Sequence, residues 1–284
     1  MIARLLAALA LCAPVAAPVV ASAQRAGAND STYQVYAVRY ATVHDFRVSD
    51  LVTGADTTRK TDIAMTVWLL RAPGRVVLVD AGFYRPKFIR AWKPAGYVKP
   101  SEALAPLGVK PEDVTDIIVS HIHWDHADGL DLFPNARIWL QRDEYTHYIG
   151  DSGQVLDRQI DRADARMLDS LRRLGRVHLV NGDGQEIIPG ITVYTGGKHT
   201  YASEYAGVHT SSGTVVIASD NLYMYENLDK HRPIAETYDS TSNLAAQERM
   251  VKIASERRLI VPGHDPAVFE RFPSVAKGIV RIEE

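Results

Sequence analysis

Apolar positions along the chain fall into short β-branched runs separated by polar turns. Such runs occupy 35–40, 65–70, 76–79, 117–120 and 137–141, and again 177–180, 191–195, 214–218 and 259–261. Their length and composition predict β-strands. A different period appears at Leu156, Ile160, Met167, Leu171 and Leu174. That spacing is close to helical and predicts an amphipathic helix over 155–174. The proline-rich stretch 84–112 leaves room for one short helix near 101–107. The Ser/Thr cluster at 240–242 starts a second long helix, running to about residue 256. No internal repeat is visible. Two strand-rich halves with interspersed helices predict an α/β protein with two packed sheets and helices outside.

Composition sets outer limits. The chain has 284 residues, 46% hydrophobic and 23% charged, with a formal net charge of −2. That length supports a sizeable core. Without a long basic run, nucleic-acid binding has no electrostatic support. The N-terminus stands apart. Arg4 precedes an apolar stretch over 5–20, and Ala21-Ser22-Ala23 fits a small-x-small cleavage site. Residues 1–23 are expected to be a secretory signal peptide, and 24–32 a flexible segment. A retained anchor is disfavoured by Pro14 and Pro18, and a lipoprotein by Leu11 before Cys12. No other hydrophobic run is long enough to span a bilayer. The expected product is exported, periplasmic or extracellular, with no stable membrane insertion after cleavage. Cys12 is the only cysteine, so the mature chain would lack disulfides and thiolate ligands.

The chemistry concentrates in His121-Ile122-His123-Trp124-Asp125-His126. Three imidazoles and a carboxylate so close together are costly to bury without partners. A divalent cation satisfies them, since both groups are good ligands for zinc, iron or manganese. Further candidates follow apolar runs in the same way. Asp80 follows 76–79, Asp220 follows 215–219, and His264 follows 259–261 across Pro262-Gly263. His199 follows 191–195 across Gly196-Gly197-Lys198. Strand ends of α/β sheets often converge on one rim, where active sites lie. His44, His147, His178, His209 and His231 lack that placement and read as surface or hydrogen-bonded histidines.

His-x-His-x-Asp-His after a strand, then Gly197-Lys198-His199-Thr200, a strand ending in Asp220, and Pro262-Gly263-His264 together resemble the metallo-β-lactamase superfamily. The resemblance covers roughly 65–270. It implies an αββα sandwich of two mixed β-sheets with flanking helices, formed by 33–284 as a single hydrolase domain. It also implies two divalent ions, zinc first and iron, manganese or cobalt as alternatives. His121, His123 and His199 would hold one ion; Asp125, His126 and His264 the other; Asp220 would bridge them. Asp80 would orient a ligand from behind. Within the superfamily the chain looks most like the N-acyl homoserine lactonases, because Asp220 is present and Tyr223 follows it at a spacing suited to polarising a lactone carbonyl. Asp125 would pass a proton to the leaving alkoxide. The implied partner is a small-molecule substrate, and a homodimer is compatible with the chain.

Phe83, Trp92, Trp124 and Tyr145 are candidate walls of an acyl pocket, and 142–175 could form a lid. Three departures touch the rim: Asp128 where the family usually has glycine, Lys198 before His199, and Tyr201 to Tyr205 in place of a second Gly-His. A β-lactamase, a phosphotriesterase or phosphodiesterase, and a glyoxalase II-like thioesterase remain alternatives. An iron redox protein of the same fold is a further one.

Overall fold

The computed structural model describes residues 31–283. The expected signal peptide and nearly all of the flexible segment lie outside the described residues. Among the described residues, thirteen strands form two mixed sheets. The larger sheet draws on β1 (Gln34–Arg47), β2 (Lys60–Ala72), β3 (Arg75–Val79), β4 (Asp116–Ile118), β5 (Arg137–Gln141) and β6 (Val177–Val180). The smaller draws on β7 (Gln185–Ile188), β8 (Ile191–Thr195), β9 (Glu204–Thr210), β10 (Gly213–Ser219) and β11 (Ile260–Pro262). The hairpin of β12 (Ser274–Ala276) and β13 (Ile279–Arg281) returns to the first sheet, whose order is β12-β13-β1-β2-β3-β4-β5-β6. The second sheet runs β11-β10-β9-β8-β7.

The layers follow from side-chain alternation. In β2, Met65, Val67 and Leu69 face one core while Trp68 and Leu70 face another. In β10, Val215 and Ile217 meet the first sheet, whereas Val216 and Ala218 pack on Ala246 and Met250 of helix Ser240–Ile253. Strands buried on both faces read as unbroken apolar runs, which is why they were visible in the sequence. The core between the sheets joins Val35, Trp68 and Val79 to Val193, Val208 and Val261. Helix Arg162–Arg173 covers the outer face of the first sheet through Leu168 and Leu171. Helices, two sheets and a further helix therefore stack as αββα.

Several elements differ from the sequence expectation. The helix expected over 155–174 begins at Arg162, because the Asp161 carboxylate accepts from the Ala163 N–H and caps it. Leu156 and Leu174 lie outside it and are exposed. The stretch near 101–107 is one short helix, Pro100–Ala103, followed by a 3-10 turn. Helices Pro86–Trp92 and Arg142–Tyr148 and strands β7, β9, β12 and β13 were not expected. The seven residues of β9 include Glu204, Gly207 and His209, so they carry little β-branched signal.

Candidate metal centre

The ligand candidates converge on one edge of the sandwich. His121, His123, Asp125 and His126 follow β4 of the first sheet; His199, Asp220 and His264 follow β8, β10 and β11 of the second. Local backbone is bent to achieve this. Asp80, Lys198 and Ser219 adopt positive φ (62°, 53° and 46°), a region costly for residues other than glycine. Each lies one residue from a ligand or bonds to one, so the strain sits where the cluster needs it. Gly263 meets a second demand. A Cβ there would come within 2.8 Å of Asp220 Oδ1 and of the Ser219 backbone.

Three overlapping groups place ligand atoms within 4.8 Å of one another: His121, His123 and His199; His121, His126 and Asp220; and Asp125, His126 and His264. Asp220 lies between the outer two. Its Oδ2 is 3.3 Å from His126 Nε2, 3.5 Å from His199 Nε2 and 3.7 Å from His121 Nε2, and its Oδ1 is 3.1 Å from His264 Nε2. Asp125 Oδ2 is 3.6 Å from His126 Nε2 and 3.8 Å from His264 Nε2. All seven sequence candidates are thus brought together.

Surrounding hydrogen bonds decide which ring nitrogen faces inward. His264 Nδ1–H donates to the Ala64 carbonyl at 3.0 Å, and His199 Nδ1–H donates to the Glu236 carbonyl at 2.9 Å. His126 Nδ1–H donates to Asp80 Oδ2 at 2.8 Å. His121 Nδ1 is 2.9 Å from the Ser120 hydroxyl, which is itself 3.0 Å from Asp80 Oδ2. Four imidazoles therefore present Nε2 lone pairs to the centre, each held from behind, as metal-binding histidines generally are. His123 presents Nδ1, 2.9 Å from His199 Nε2. Asp80 also accepts from the Ser120 N–H and the Ser219 hydroxyl, so one carboxylate ties both sheets behind the centre. Ser120 and Ser219 were missed in the sequence, since lone serines at strand ends carry no distinguishing signal.

The electrostatics suit a cation. Burial, then the imidazoles of His126, His199 and His123, hold His121 well below its ordinary value. Burial and His199 lower His123 to about 3. Burial also disfavours charge on His126 and His264, yet carboxylates outweigh it and raise both, Asp220 foremost, then Asp125. The Nε2 atoms of His121 and His126 are buried without a hydrogen-bond partner. Orphaned nitrogens amid buried carboxylates fit a metal ion, and a nitrogen/oxygen donor set without sulfur suits zinc, iron, manganese or cobalt.

A cleft of about 90 Å³ opens over the cluster. Its apolar wall is Phe46, Leu51, Ile63, Met65, Trp92 and Trp124; its polar side includes Asp50, Tyr223 and Glu236, with no lysine or arginine among the lining residues. The wall is an aromatic ladder. Phe46 stacks on Trp92 at 6.1 Å, Trp92 meets Trp124 at 5.2 Å, and Phe88 stacks on Trp124 at 4.6 Å. Trp92 and Trp124 therefore line the cleft as expected, whereas Phe83 and Tyr145 do not. Phe83 is wholly buried behind Trp124, and Tyr145 packs in the outer core. Sequence gave no sign of Phe46, Leu51, Ile63, Met65 or Glu236. A larger hollow of about 520 Å³ beside Tyr33 and Arg71 has no converging ligands.

Tyr223 Oη lies 3.2 Å from His199 Nδ1. That nitrogen's proton is directed to the Glu236 carbonyl, so the phenolic proton points elsewhere, with the Glu236 carboxylate as its acceptor. Burial, then Asp220 and Glu236, raise the phenol well above its usual value and keep it protonated. Residues 142–175 do not form a lid: Tyr148, Ala165 and Leu168 pack them into the outer core. Among them, Glu144 and Tyr148 bond to the ligand loops from behind, and Gln159 shares a shallow hollow with His199. Asp128, the departure from glycine, is buried and accepts from the N–H groups of Tyr84 and Arg85 at 2.7 and 2.9 Å, while pairing with the Arg85 guanidinium. It fixes the loop leading to helix Pro86–Trp92.

This fold and cluster define a class. The metallo-beta-lactamase superfamily model matches residues 63–264, and the chain belongs to that superfamily and has its hydrolase fold. Among individual relatives, an N-acyl homoserine lactonase of Bacillus cereus is 32% identical over 162 residues, covering 56% of this chain and 59% of that protein. Metallo-beta-lactamase domain-containing protein 1 of Mus musculus is 30% identical over 165 residues, covering 57% and 53%. The chain thus spans little more than half the length of the curated relatives it matches. A crystal structure of a quorum-quenching N-acyl homoserine lactone lactonase superposes with a TM-score of 0.71 at 22% identity, covering 87% of this chain and 98% of that one. AidC, a dizinc quorum-quenching lactonase, gives 0.62 at 16% identity, covering 89% and 95%. At those identities the structures share the fold.

Proposed function

We propose that the protein is a dizinc hydrolase of neutral lactones, N-acyl homoserine lactones being the favoured substrates. The carrying observation is the cleft itself: an apolar wall, a protonated phenol at its floor, and no cationic side chain. β-Lactams bear a carboxylate away from the reacting carbonyl that such a cleft leaves without a lysine or arginine partner and sets against Asp50 and Glu236. A neutral lactone meets no such penalty. Likeness to the lactonases supports the same substrate class.

Two divalent ions, when bound, would supply Lewis acidity and a water activated at neutral pH. His121, His123 and His199 would hold one, Asp125, His126 and His264 the other, with Asp220 shared. The chain's own groups do the rest. Tyr223 donates its phenolic proton to the carbonyl oxygen as negative charge develops there. Asp125, which lines the cleft as a carboxylate, would take the proton lost by the attacking water and pass it to the alkoxide released when the ring opens. Trp92 and Trp124 cover the acyl portion and exclude water. The N-terminal segment would direct export, which places the enzyme where diffusible lactones pass; signal processing in a secreting host tests that point.

The decisive assay uses the metal-analysed protein on an acyl homoserine lactone, a chromogenic cephalosporin, a phosphotriester and a thioester. Lactone turnover well above the others is expected. Hydrolysis of the cephalosporin or phosphotriester without lactone turnover would reject the lactonase reading.

A further inference from the structure

Glu144 is a buried ionisable side chain beside the ligand loops that this chemistry leaves unused. It lies on helix Arg142–Tyr148, directly after β5, and is fully inaccessible. Among the described residues no cation forms an ion pair with it, Lys198 acting only from a distance. Instead three donors surround it. Oε1 accepts from the Ile122 N–H at 3.2 Å and from the Thr200 hydroxyl at 2.6 Å, and Oε2 accepts from the Ala202 N–H at 2.6 Å. Ile122 stands between His121 and His123, and Thr200 directly follows His199. One carboxylate thus joins the loop carrying two ligands from the first sheet to the loop carrying the third from the second. The same helix adds another tie, since Tyr148 Oη accepts from the Tyr201 N–H at 3.1 Å.

The residue type is informative. Burial pushes the Glu144 carboxyl up to about 7, so the ionised form is costly here. A loop staple needing only to fill space would be served better by an apolar side chain. Three converging donors demand an acceptor on both oxygens, which a carboxylate provides. A glutamine would set its own N–H₂ against one of the donors.

We propose that Glu144 is a positioning residue: by bracing the two loops against each other it sets the separation of His121, His123 and His199, and so the metal affinity of that three-histidine site. The proposal rests on the metal-binding reading of the centre and is independent of the substrate. Groups that orient ligands from behind typically contribute about ten- to a hundredfold in metal affinity. The same range is expected here, confined to one of the two sites.

The test compares zinc-loaded wild type with Glu144→Gln. Ion release is followed under a graded chelator with a colorimetric zinc indicator, and the thermal midpoint of each metal-free form is measured. The expected result is one ion per chain leaving about ten- to a hundredfold more readily in E144Q, the other unchanged, with similar metal-free midpoints. Release of both ions at wild-type affinity would overturn the proposal. So would loss of both ions in parallel with a lowered metal-free midpoint, which marks a purely structural residue. If E144Q does not fold, Thr200→Val removes one donor and keeps the carboxylate; weakened binding of one ion supports the brace, and wild-type binding rejects it. A wild type that takes up no zinc fails the metal-binding reading itself, before any variant is compared.

Discussion

The two halves of the ligand cluster use similar side chains and treat protons in opposite ways. His121 and His123 are surrounded by other imidazoles and held neutral by burial. His126 and His264 are equally buried, yet Asp220 and Asp125 draw protons onto them. Support from behind differs too. His126 is backed directly by the Asp80 carboxylate, whereas His121 reaches it only through the Ser120 hydroxyl. A carboxylate-rich site gains Coulomb attraction for a cation but must first shed a proton, a competition that the lowered values of His121 and His123 spare those two ligands. The difference teaches that ligand identity sets pH sensitivity as much as affinity.

That contrast can be broken most severely at the residue the halves share. Asp220→Ala should leave fewer than two ions per chain and reduce turnover by more than about 10³-fold, beyond the usual effect of removing one oxyanion donor. Metal analysis that still finds two ions would remove the bridging role. Tyr223→Phe acts on neither half. It should lower kcat by about 10²- to 10³-fold with metal content unchanged; a change confined to KM would remove the phenol from oxyanion stabilisation. Asp80→Asn should weaken the Asp125/His126/His264 site by about ten- to a hundredfold and the other less, because its contact with His126 is direct. Equal weakening of both, in metal titration, would erase the asymmetry.

Acidification sharpens the same comparison. His126 and His264 have raised values, so their protonated forms persist to higher pH and compete with the cation as pH falls; His121 and His123 have lowered values and do not. One ion should therefore leave before the other between neutral pH and about pH 5, by roughly tenfold in affinity per unit for each proton displaced. Simultaneous release on dialysis across that range would contradict it. The smallest effect belongs to the rim. Glu236→Gln should raise kcat/KM for an anionic ester relative to a neutral lactone by a fewfold, as expected for one partly screened charge. An unchanged ratio would show that Glu236 does not select by charge.

The centre was legible in the sequence because every ligand, the six-residue motif included, follows an apolar run ending at the same edge. His199, Asp220 and His264 are far apart in the chain, but each inherits its place from a strand that announces itself. The cleft wall had no such marker. Ile63 and Met65 belong to β2 and look like any core residues, and Phe46 and Leu51 lie around the turn before it. Only sheet register and the turn decide that they face the ligand cluster. Phe83 and Tyr145 show the converse: aromatic character near a motif cannot separate a residue that lines a cleft from one that supports it. Glu144 was invisible for another reason, since a glutamate in the first turn of a short polar helix ordinarily faces water.

The ligands come from both sheets, four from the loop after β4 and three from loops of the second sheet. A metal ion held there would act as a cross-link between distant stretches of a chain whose described residues contain no cysteine. A tie between residue 126 and residue 264 closes a very long loop, and cross-links on long loops remove the most conformational freedom from the unfolded ensemble. Unlike a disulfide, this tie is reversible and its strength follows the free metal concentration. The resistance of the protein to unfolding is then a property of its surroundings as well as of its sequence.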